Sequence, residues 1–506
     1  MKEIAMLKKC LIANRGEIAV RIIRACQELG IRTVAVYSNP DARSRFVFLA
    51  DEAYPLGGDS AKESYLRGEL LIELALRAGC DCVHPGYGFL SESEAFAGMV
   101  IEAGLTWVGP SPATIRSMGV KTIARALMSA AGVPIVPGFQ SESADDALFL
   151  AEADKMGYPV MVKAAGGGGG KGIRIVRSHN DLIEALGGAR REAQNAFNDP
   201  RVFLEKYIEH GRHIEVQLLA DKHGNVLHLF ERECSTQRRH QKIIEETPSP
   251  LLTPETRAKI CAAAVNAGKA VNYVNAGTVE FIATPAQDFY FLEMNTRLQV
   301  EHPITELVTG IDIVKWQFKI ADGQALPFRQ DDIRQRGHAI ECRIYAEDPH
   351  NNFLPAIGQV QTFIPPHAPG VRVDSGLASG DHITIYYDPM IAKLIVYAEN
   401  RDDAIQRMKM ALRQTVLLGT TTNIDFLLAL LDDPTFINGA VHTAYIDAHL
   451  TDLLPSTPPP PLSALFGLIL SEGAQSISST PIPADSNSDR YSPWGRTDQF
   501  RIQNNP

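Results

Sequence analysis

Residues 289–303, FYFLEMNTRLQVEHP, decide how the chain is read. The first half has the aromatic and apolar character of a β-strand running into Glu293. From there Glu293, Asn295, Arg297, Gln299 and Glu301 fall at every second residue. An extended chain sends alternate side chains to one face, so all five are expected to line one wall. The opposite set, Met294, Thr296, Leu298, Val300 and His302, is mostly apolar. Taken alone, the stretch is better read as a half-exposed strand with a solvated face, the usual cause of such alternation.

The segment before it shifts the balance. GTVEFIA, residues 277–283, reads as a second strand, and PAQD, residues 285–288, as a turn. A hairpin centred on those four residues pairs Thr284 with Phe289, Ile282 with Phe291 and Glu280 with Glu293. Like charges directly opposite each other weaken a sheet. Two carboxylates aimed at one point make sense with a cation between them. Oxygen ligands, with the amide of Asn295, suit magnesium held together with a nucleotide's phosphates.

The rest of the chain sets the context. Its 506 residues allow two to four domains with ample core, and 45% hydrophobic with 21% charged residues is an ordinary globular balance. A net charge of −10 gives no general attraction to nucleic acid or to an anionic membrane. Seven cysteines, odd in number and without a CxxC pair, fit a reducing cytoplasm. Charges interrupt the apolar residues of MKEIAMLKKCLIANRG, so no signal peptide is read there, and no stretch reaches the length of a membrane span.

From Lys9 onward the pattern is strand, helix, strand: KCLIAN, RGEIAVRIIRACQELG and IRTVAVYS, with Gly30 where the helix should stop. The alternation continues through AGCDCVHPGYGF and AGLTWVGP, which predicts a parallel βαβ sheet. Ala13-Asn14-Arg15-Gly16-Glu17 is not a dinucleotide fingerprint, so NAD is not expected. Tyr87 lies in HPGYGF, where a strand gives way to a loop. Residues 114–131 read as one connecting helix that contains Lys121.

YPVMVKAAGGGGGKGIRIVR, residues 158–177, places five glycines between two strands. Gly167, Gly169 and Gly172 match GxGxxG, but the following element is β, so the Rossmann reading fails its context. Lys171 is followed by glycine, so the phosphate-loop reading fails as well. A hairpin remains, either a plain surface loop or a lid whose bare amides close over phosphates, with Lys163 adding positive charge. Arg238, Arg239, His240 and Lys242 cluster among acids, as a solvated face or an anion site. Residues 400–418 read as an amphipathic helix. Its Met408-Lys409-Met410 is set aside as a biotin attachment motif because that lysine belongs on an exposed hairpin turn. PSTPPPPL opens a stiff, Ser/Pro-rich tail expected to be largely disordered.

Together these stretches resemble the biotin carboxylase component of biotin-dependent carboxylases, members of the ATP-grasp fold. The resemblance runs over residues 8–450 and rests on IANRGEIAVRI, HPGYGFLSE, VKAAGGGGGKG, RECSTQRRHQKIIEE, FLEMNTRLQVEHPITE, GHAIECRIYAEDP and YYDPMIAKL. It implies an α/β (α+β) chain: an N-terminal doubly wound βαβ domain at 1–120, an ATP-grasp domain at 121–335 with a glycine-rich lid near 137–207, and a mixed α/β domain at 336–450. By resemblance, Lys121, Lys163, Gly169 and Gly170 would hold ATP phosphates. Glu205, Lys206 and Ile208 would contact adenine, with His213, Gln237 and His240 near the ribose. Glu280, Glu293 and Asn295 would bind magnesium or manganese.

Lys242, Arg297, Gln299 and the Val300 backbone would cradle bicarbonate, Glu301 would deprotonate it, and Arg343 would stabilise carboxyphosphate and the biotin enolate. Tyr87 and Asp388 resemble residues on the biotin side. The implied reaction is ATP-dependent carboxylation of biotin on a carrier protein, the first half-reaction of an acetyl-CoA or acyl-CoA carboxylase, the former serving fatty acid synthesis. Another ATP-grasp carboxylate ligase, or the same component of a pyruvate or urea-type carboxylase, is the alternative. Expected partners are a biotin carboxyl carrier protein, a carboxyltransferase and a second copy in a homodimer. SALFGLIL and RYSPWGRTDQFRI resemble the region after the carboxylase in biotin-bearing subunits of the methylcrotonyl type. The chain stops before a carrier domain, so biotin is expected on a separate polypeptide, or else the chain is truncated.

Overall fold

The structure is a computed structural model that describes residues 7–141, 145–164, 174–197, 199–454, 466, 467 and 470. The chain divides into two units, Met1–Pro455 and Ser456–Pro506, and the first holds every sheet among the described residues. Beyond residue 454 the expectation of a disordered tail falls almost wholly outside the described residues. The helix Tyr445–Leu453 continues past 450, where the mixed α/β domain was expected to end.

The N-terminal part is the parallel sheet expected from the alternation. Strands β1 (Lys9–Ile12), β2 (Arg32–Tyr37), β3 (Glu52–Pro55), β4 (Cys82–His84) and β5 (Thr106–Trp107) lie in the order β3-β2-β1-β4-β5, all parallel. Helix Gly16–Leu29 links β1 to β2 and ends as read: Gly30 takes φ 72°, and the Ile31 N–H closes on the Cys26 carbonyl.

Residues 114–131 are two helices rather than one. Pro112–Gly119 stops at Val120, whose extended backbone (φ −102°, ψ 105°) restarts the chain as Lys121–Ala130. Lys121 therefore stands in the first turn of a helix. Strands β6 (Gly138–Gln140), β7 (Val160–Ala164), β8 (Arg174–Val176) and β9 (Val202–Lys206) form an antiparallel sheet in the order β6-β9-β7-β8. β7 and β8 are the arms of the glycine hairpin; the loop itself, including Gly169 and Gly170, lies outside the described residues.

The third part is an eight-stranded sheet. Its strands are β10 (Arg212–Ala220), β11 (Val226–Arg238), β12 (Gln241–Thr247), β13 (Asn275–Ala283), β14 (Phe289–Asn295), β15 (His338–Tyr345), β16 (Val371–Ser375) and β17 (Met390–Ala398). They lie in the order β14-β13-β10-β11-β12-β15-β17-β16. One sheet thus carries residues from 212 to 398, and helix Arg401–Gln414 packs on its distal end. That helix is shorter than the 400–418 expected, because Asn400 caps it and residues 416–418 return as a strand. Met408 is buried and Lys409 pairs with Asp432, as packing rather than attachment requires.

The β13–β14 hairpin has the Glu280–Glu293 pairing expected, but not the register near the turn. Ile282 faces Tyr290 and Ala283 faces Phe289, because the register shifts by one residue between Glu280 and Phe281. The extra residue is Leu292, which turns outward and leaves Phe291 and Met294 both buried. A tight turn drives this: the Gln287 N–H bonds to the Thr284 carbonyl, shortening the loop that sequence spacing suggests.

Candidate active site

β14 ends at Asn295, so the five alternating polar residues do not form one strand wall. Residues 296–301 turn instead, and Glu301 becomes the N-cap of helix His302–Thr309. The side chains still gather, because the turn folds them back over β13. The Asn295 and Gln299 amides donate to Glu280 Oε1 at 2.8 and 3.0 Å, and Arg297 donates to Asn295 Oδ1 at 2.8 Å.

The centre of the group is Lys242 on β12. Its ammonium lies 2.5 Å from Glu215 Oε2, 2.6 Å from Glu301 Oε1 and 3.2 Å from Glu280 Oε1. Burial works against that charge, but the three carboxylates raise the Lys242 pKa well above its ordinary value. Burial likewise disfavours ionised Glu301, yet Lys242, Arg343 and Arg232 hold its pKa well below the usual carboxylate range. Arg232, wholly buried, pairs with Glu215 at 2.5 Å and steadies it from behind. A buried cluster of this kind stands only because each charge has partners on several sides.

Arg343 on β15 closes one end. Its Nε donates to Glu245 Oε1 at 2.6 Å and its Nη2 to Glu301 Oε2 at 3.0 Å. Burial pushes Glu245 up to about 7, Arg343 opposing and Glu301 reinforcing the shift. Arg297 is held at the other end by Glu92, 2.9 Å from its Nε.

Among the described residues, two groupings have metal-ligating geometry, His213–Glu215–Glu280 and Glu215–Cys234–Glu301. The Lys242 ammonium already bonds to every carboxylate in both, and burial raises the Cys234 thiol well above its usual range. In both, the Lys242 ammonium stands where a cation would sit. The Glu280–Glu293 pair is different. Glu293, open to solvent on one side, has no hydrogen-bond partner among the described residues. Desolvation and then the Glu280 charge raise its pKa. A partnerless Glu293 carboxylate opposite Glu280 offers hard oxygens that fit a divalent cation of the magnesium type. Glu293 and Asn295 share with Lys121 and Glu92 a cavity of about 210 Å3.

At the β6–β9 sheet, Glu205 is buried and bonds to both Lys163 and Arg125. Lys206 is turned to the carbonyls of Gly157 and Tyr158 at 2.8 and 3.1 Å, and Ile208 is half-buried. His213 lies 3.0 Å from Glu280 Oε2, among the carboxylates. Gln237 is buried and pairs across β11–β12 with Lys242, whereas His240 is exposed at the tip of that hairpin, apart from the cluster. Tyr87 donates its hydroxyl to Glu17, and exposed Asp388 shares with Arg15, Glu17 and Tyr387 a small cavity between the N-terminal sheet and the β16–β17 region. Glu92, Glu215, Arg232 and Glu245 were missed in the sequence. The one available signal was a charged residue within an apolar strand, as in HIEVQLLAD for Glu215.

A glycine-bearing antiparallel hairpin beside a sheet that presents paired carboxylates and buried cations defines the ATP-grasp class. Similarity to known proteins narrows it. Residues 6–115 match the family model of the biotin carboxylase N-terminal domain, 121–329 the carbamoyl-phosphate synthase L chain ATP-binding domain, and 341–448 the biotin carboxylase C-terminal domain. Biotin carboxylase 1 of Bacillus subtilis is 52% identical over 447 residues, 88% of this chain and 99% of the relative. The mitochondrial methylcrotonoyl-CoA carboxylase subunit alpha of mouse is 49% identical over 471 residues, 92% of this chain but 66% of the relative, so the chain spans about two thirds of that protein. The biotin carboxylase domain of the Hydrogenobacter thermophilus 2-oxoglutarate carboxylase, a dimer in complex with MgADP, ADP and bicarbonate, superimposes with a TM-score of 0.83 at 47% identity, over 89% of this chain and all of that one. The chain belongs to the biotin carboxylase family, and is an ATP-dependent carboxylating ligase.

Proposed function

We propose that the chain uses ATP and bicarbonate to carboxylate biotin borne on a carrier protein, through carboxyphosphate. The observation that carries this is the convergence of Lys242, Glu301 and Arg343 beside the Glu280–Glu293 pair. Bicarbonate is a poor electrophile and is activated by phosphoryl transfer, which needs cations around the phosphates rather than a protein nucleophile. Lys121, Lys163 and the glycine loop with Gly169 and Gly170 take the phosphates, and Glu205, Lys206, Ile208, His213, Gln237 and His240 the nucleoside. Glu280, Glu293 and Asn295 hold magnesium or manganese, which when bound neutralises phosphate charge.

Bicarbonate sits against Lys242, Arg297, Gln299 and Val300, with Glu301 as its base. In the resting site Lys242 and Arg343 keep Glu301 ionised and weakly basic. An anion arriving against those same cations takes their charge away from Glu301, so its proton affinity rises as substrate binds. Arg343 then faces the carboxyphosphate and the biotin enolate, with Tyr87 and Asp388 on the biotin side.

For the final acceptor we infer an acyl-CoA, of the methylcrotonyl type. The alignment with the mouse subunit runs 471 residues, past the 447 shared with the Bacillus protein and into the tail. A carboxyltransferase partner and a homodimer belong to this reading, as does a reducing compartment such as the cytoplasm, supported by seven buried, unpaired cysteines. No helix among the described residues is long and apolar enough to cross a membrane. The test is ATP hydrolysis with magnesium, with and without bicarbonate and free biotin. Bicarbonate-dependent turnover stimulated by biotin is expected, with transfer of labelled carboxylate to biotin lost in Arg297→Ala. Hydrolysis indifferent to bicarbonate and biotin overturns the reading.

A further inference from the structure

The turn Gln299–Val300–Glu301 is held from its interior side by two residues that play no part in the proposed chemistry. His302 Nδ1 lies 2.7 Å from the Gln299 carbonyl oxygen, and Lys393 Nζ donates to the Val300 carbonyl oxygen at 2.8 Å. Both side chains are wholly buried. Burial, reinforced by the positive charges of Lys393, Arg21 and Arg372, holds the His302 pKa well below its ordinary value. The imidazole is therefore neutral, and the contact with a carbonyl requires the hydrogen on Nδ1. Its Nε2 has no hydrogen-bond partner among the described residues. Lys393 keeps its charge against burial because Glu17, Glu341 and Asp374 surround it; Glu17 Oε1 is 3.2 Å away and Asp374 Oδ2 3.9 Å.

A trans peptide sets its C=O and the following N–H on opposite sides, and these peptides are trans. With the carbonyls of Gln299 and Val300 both drawn inward, the N–H groups of Val300 and Glu301 face the other way. Neither has an acceptor among the described residues. Successive free backbone N–H groups form a concave anion site. The side chain of the same Glu301 bonds to the Lys242 ammonium and the Arg343 guanidinium through its carboxylate.

We propose that His302 and Lys393 are positioning residues that clamp two consecutive carbonyls of this turn and so present the Val300 and Glu301 N–H groups to bicarbonate. The inference rests on the proposed binding of bicarbonate at this site. Lys393 also ties the turn to the N-terminal part, because Glu17, its counter-charge, accepts the Tyr87 hydroxyl.

The test is steady-state kinetics with bicarbonate and MgATP varied separately, for His302→Leu, His302→Asn and Lys393→Met. His302→Leu keeps the bulk, removes the donor and removes the unpartnered buried Nε2, so it should fold. It is expected to raise the KM for bicarbonate about tenfold, the order of factor that loss of one orienting hydrogen bond produces, with the KM for MgATP unchanged within about twofold. His302→Asn places an amide N–H near the same carbonyl and should recover most of the loss, and Lys393→Met should behave like His302→Leu. An unchanged bicarbonate KM in folded His302→Leu overturns the proposal. So does an equal rise for both substrates, or an Asn variant no better than Leu. If Lys393→Met fails to fold, since it strands Glu17 and Asp374, the two His302 variants decide alone. Wild-type turnover indifferent to bicarbonate would remove the underlying reading and the clamp with it. A bicarbonate-dependent wild type with unaffected variants would remove only the clamp.

Discussion

Glu246→Gln tests the electrostatic account of how the distal end of the large sheet is held. Glu246 on β12 accepts from His338 Nε2 at 2.8 Å, and from Arg401 Nε and Nη2 at 2.7 and 3.0 Å. It joins the strand that carries Lys242 to β15 and to helix Arg401–Gln414. Burial by itself would raise the Glu246 pKa, but the His338 and Arg401 hydrogen bonds outweigh it and bring the carboxyl down to about 2 from 4.5. A depressed carboxylate contributes stability that is complete above its unfolded pKa and is lost as pH falls through the folded one. At about 1.4 kcal/mol for each unit, the difference amounts to ~3 kcal/mol at pH 7. By the same linkage it is still ~2 kcal/mol at about pH 3.5, where the folded carboxylate remains ionised and the unfolded one is mostly protonated.

Glu246→Gln keeps the shape, and Arg401 retains the Phe436 and Ile437 carbonyls at 2.7 and 2.6 Å. The variant should therefore fold, with a deficit of ~3 kcal/mol at neutral pH that narrows on acidification. Urea unfolding of both proteins at about pH 7, 5 and 3.5 measures this directly. A deficit that stays constant with pH, or one below about 1 kcal/mol at pH 7, refutes the reasoning, because neither is compatible with a carboxylate held ionised by those two partners.

Two more outcomes are expected from the packing and the site. In Glu293→Gln, removal of the like charge opposite Glu280 should leave the metal-free protein as stable as wild type or better by ~0.5 kcal/mol, solvent screening keeping the gain small. Stabilisation by MgADP, about 2.7 kcal/mol at a hundredfold excess over Kd in the wild type, should fall sharply in that variant; thermal shift with and without a chelator checks the reversal of order. Gly376→Ala puts a methyl 2.5 Å from the Gly16 carbonyl carbon and 2.6 Å from the Glu17 N. A backbone neighbour cannot rotate away, so a loss of about 1–3 kcal/mol is expected, read by urea unfolding, together with altered kinetics because Glu17 is the counter-charge of Lys393.

The amino-acid sequence determined the elements whose cause is local. Gly30 ends its helix because a left-handed residue closes the C-terminus, and the alternation of apolar strands and amphipathic helix makes the N-terminal sheet parallel. The Glu280–Glu293 opposition was legible because a hairpin joins neighbours in the chain. Even there the bulge at Leu292 was not, since it depends on how tightly the Thr284–Gln287 turn closes and on which side chains the core accepts. The break at Val120 escaped for a similar reason: no proline marks it, and helical period carries straight through.

Tertiary structure alone decided the charge cluster. Alternation says which side chains share a face, but not which strand will lie beside it. Lys242 meets Glu215, Glu280 and Glu301 only because β10, β12, β13 and the turn before helix His302–Thr309 converge within one sheet. Lys393 reaches Val300 across 93 residues of chain. Buried ions tolerate no partial set of partners, so their positions are settled by the whole sheet at once, and no single stretch of sequence contains that information.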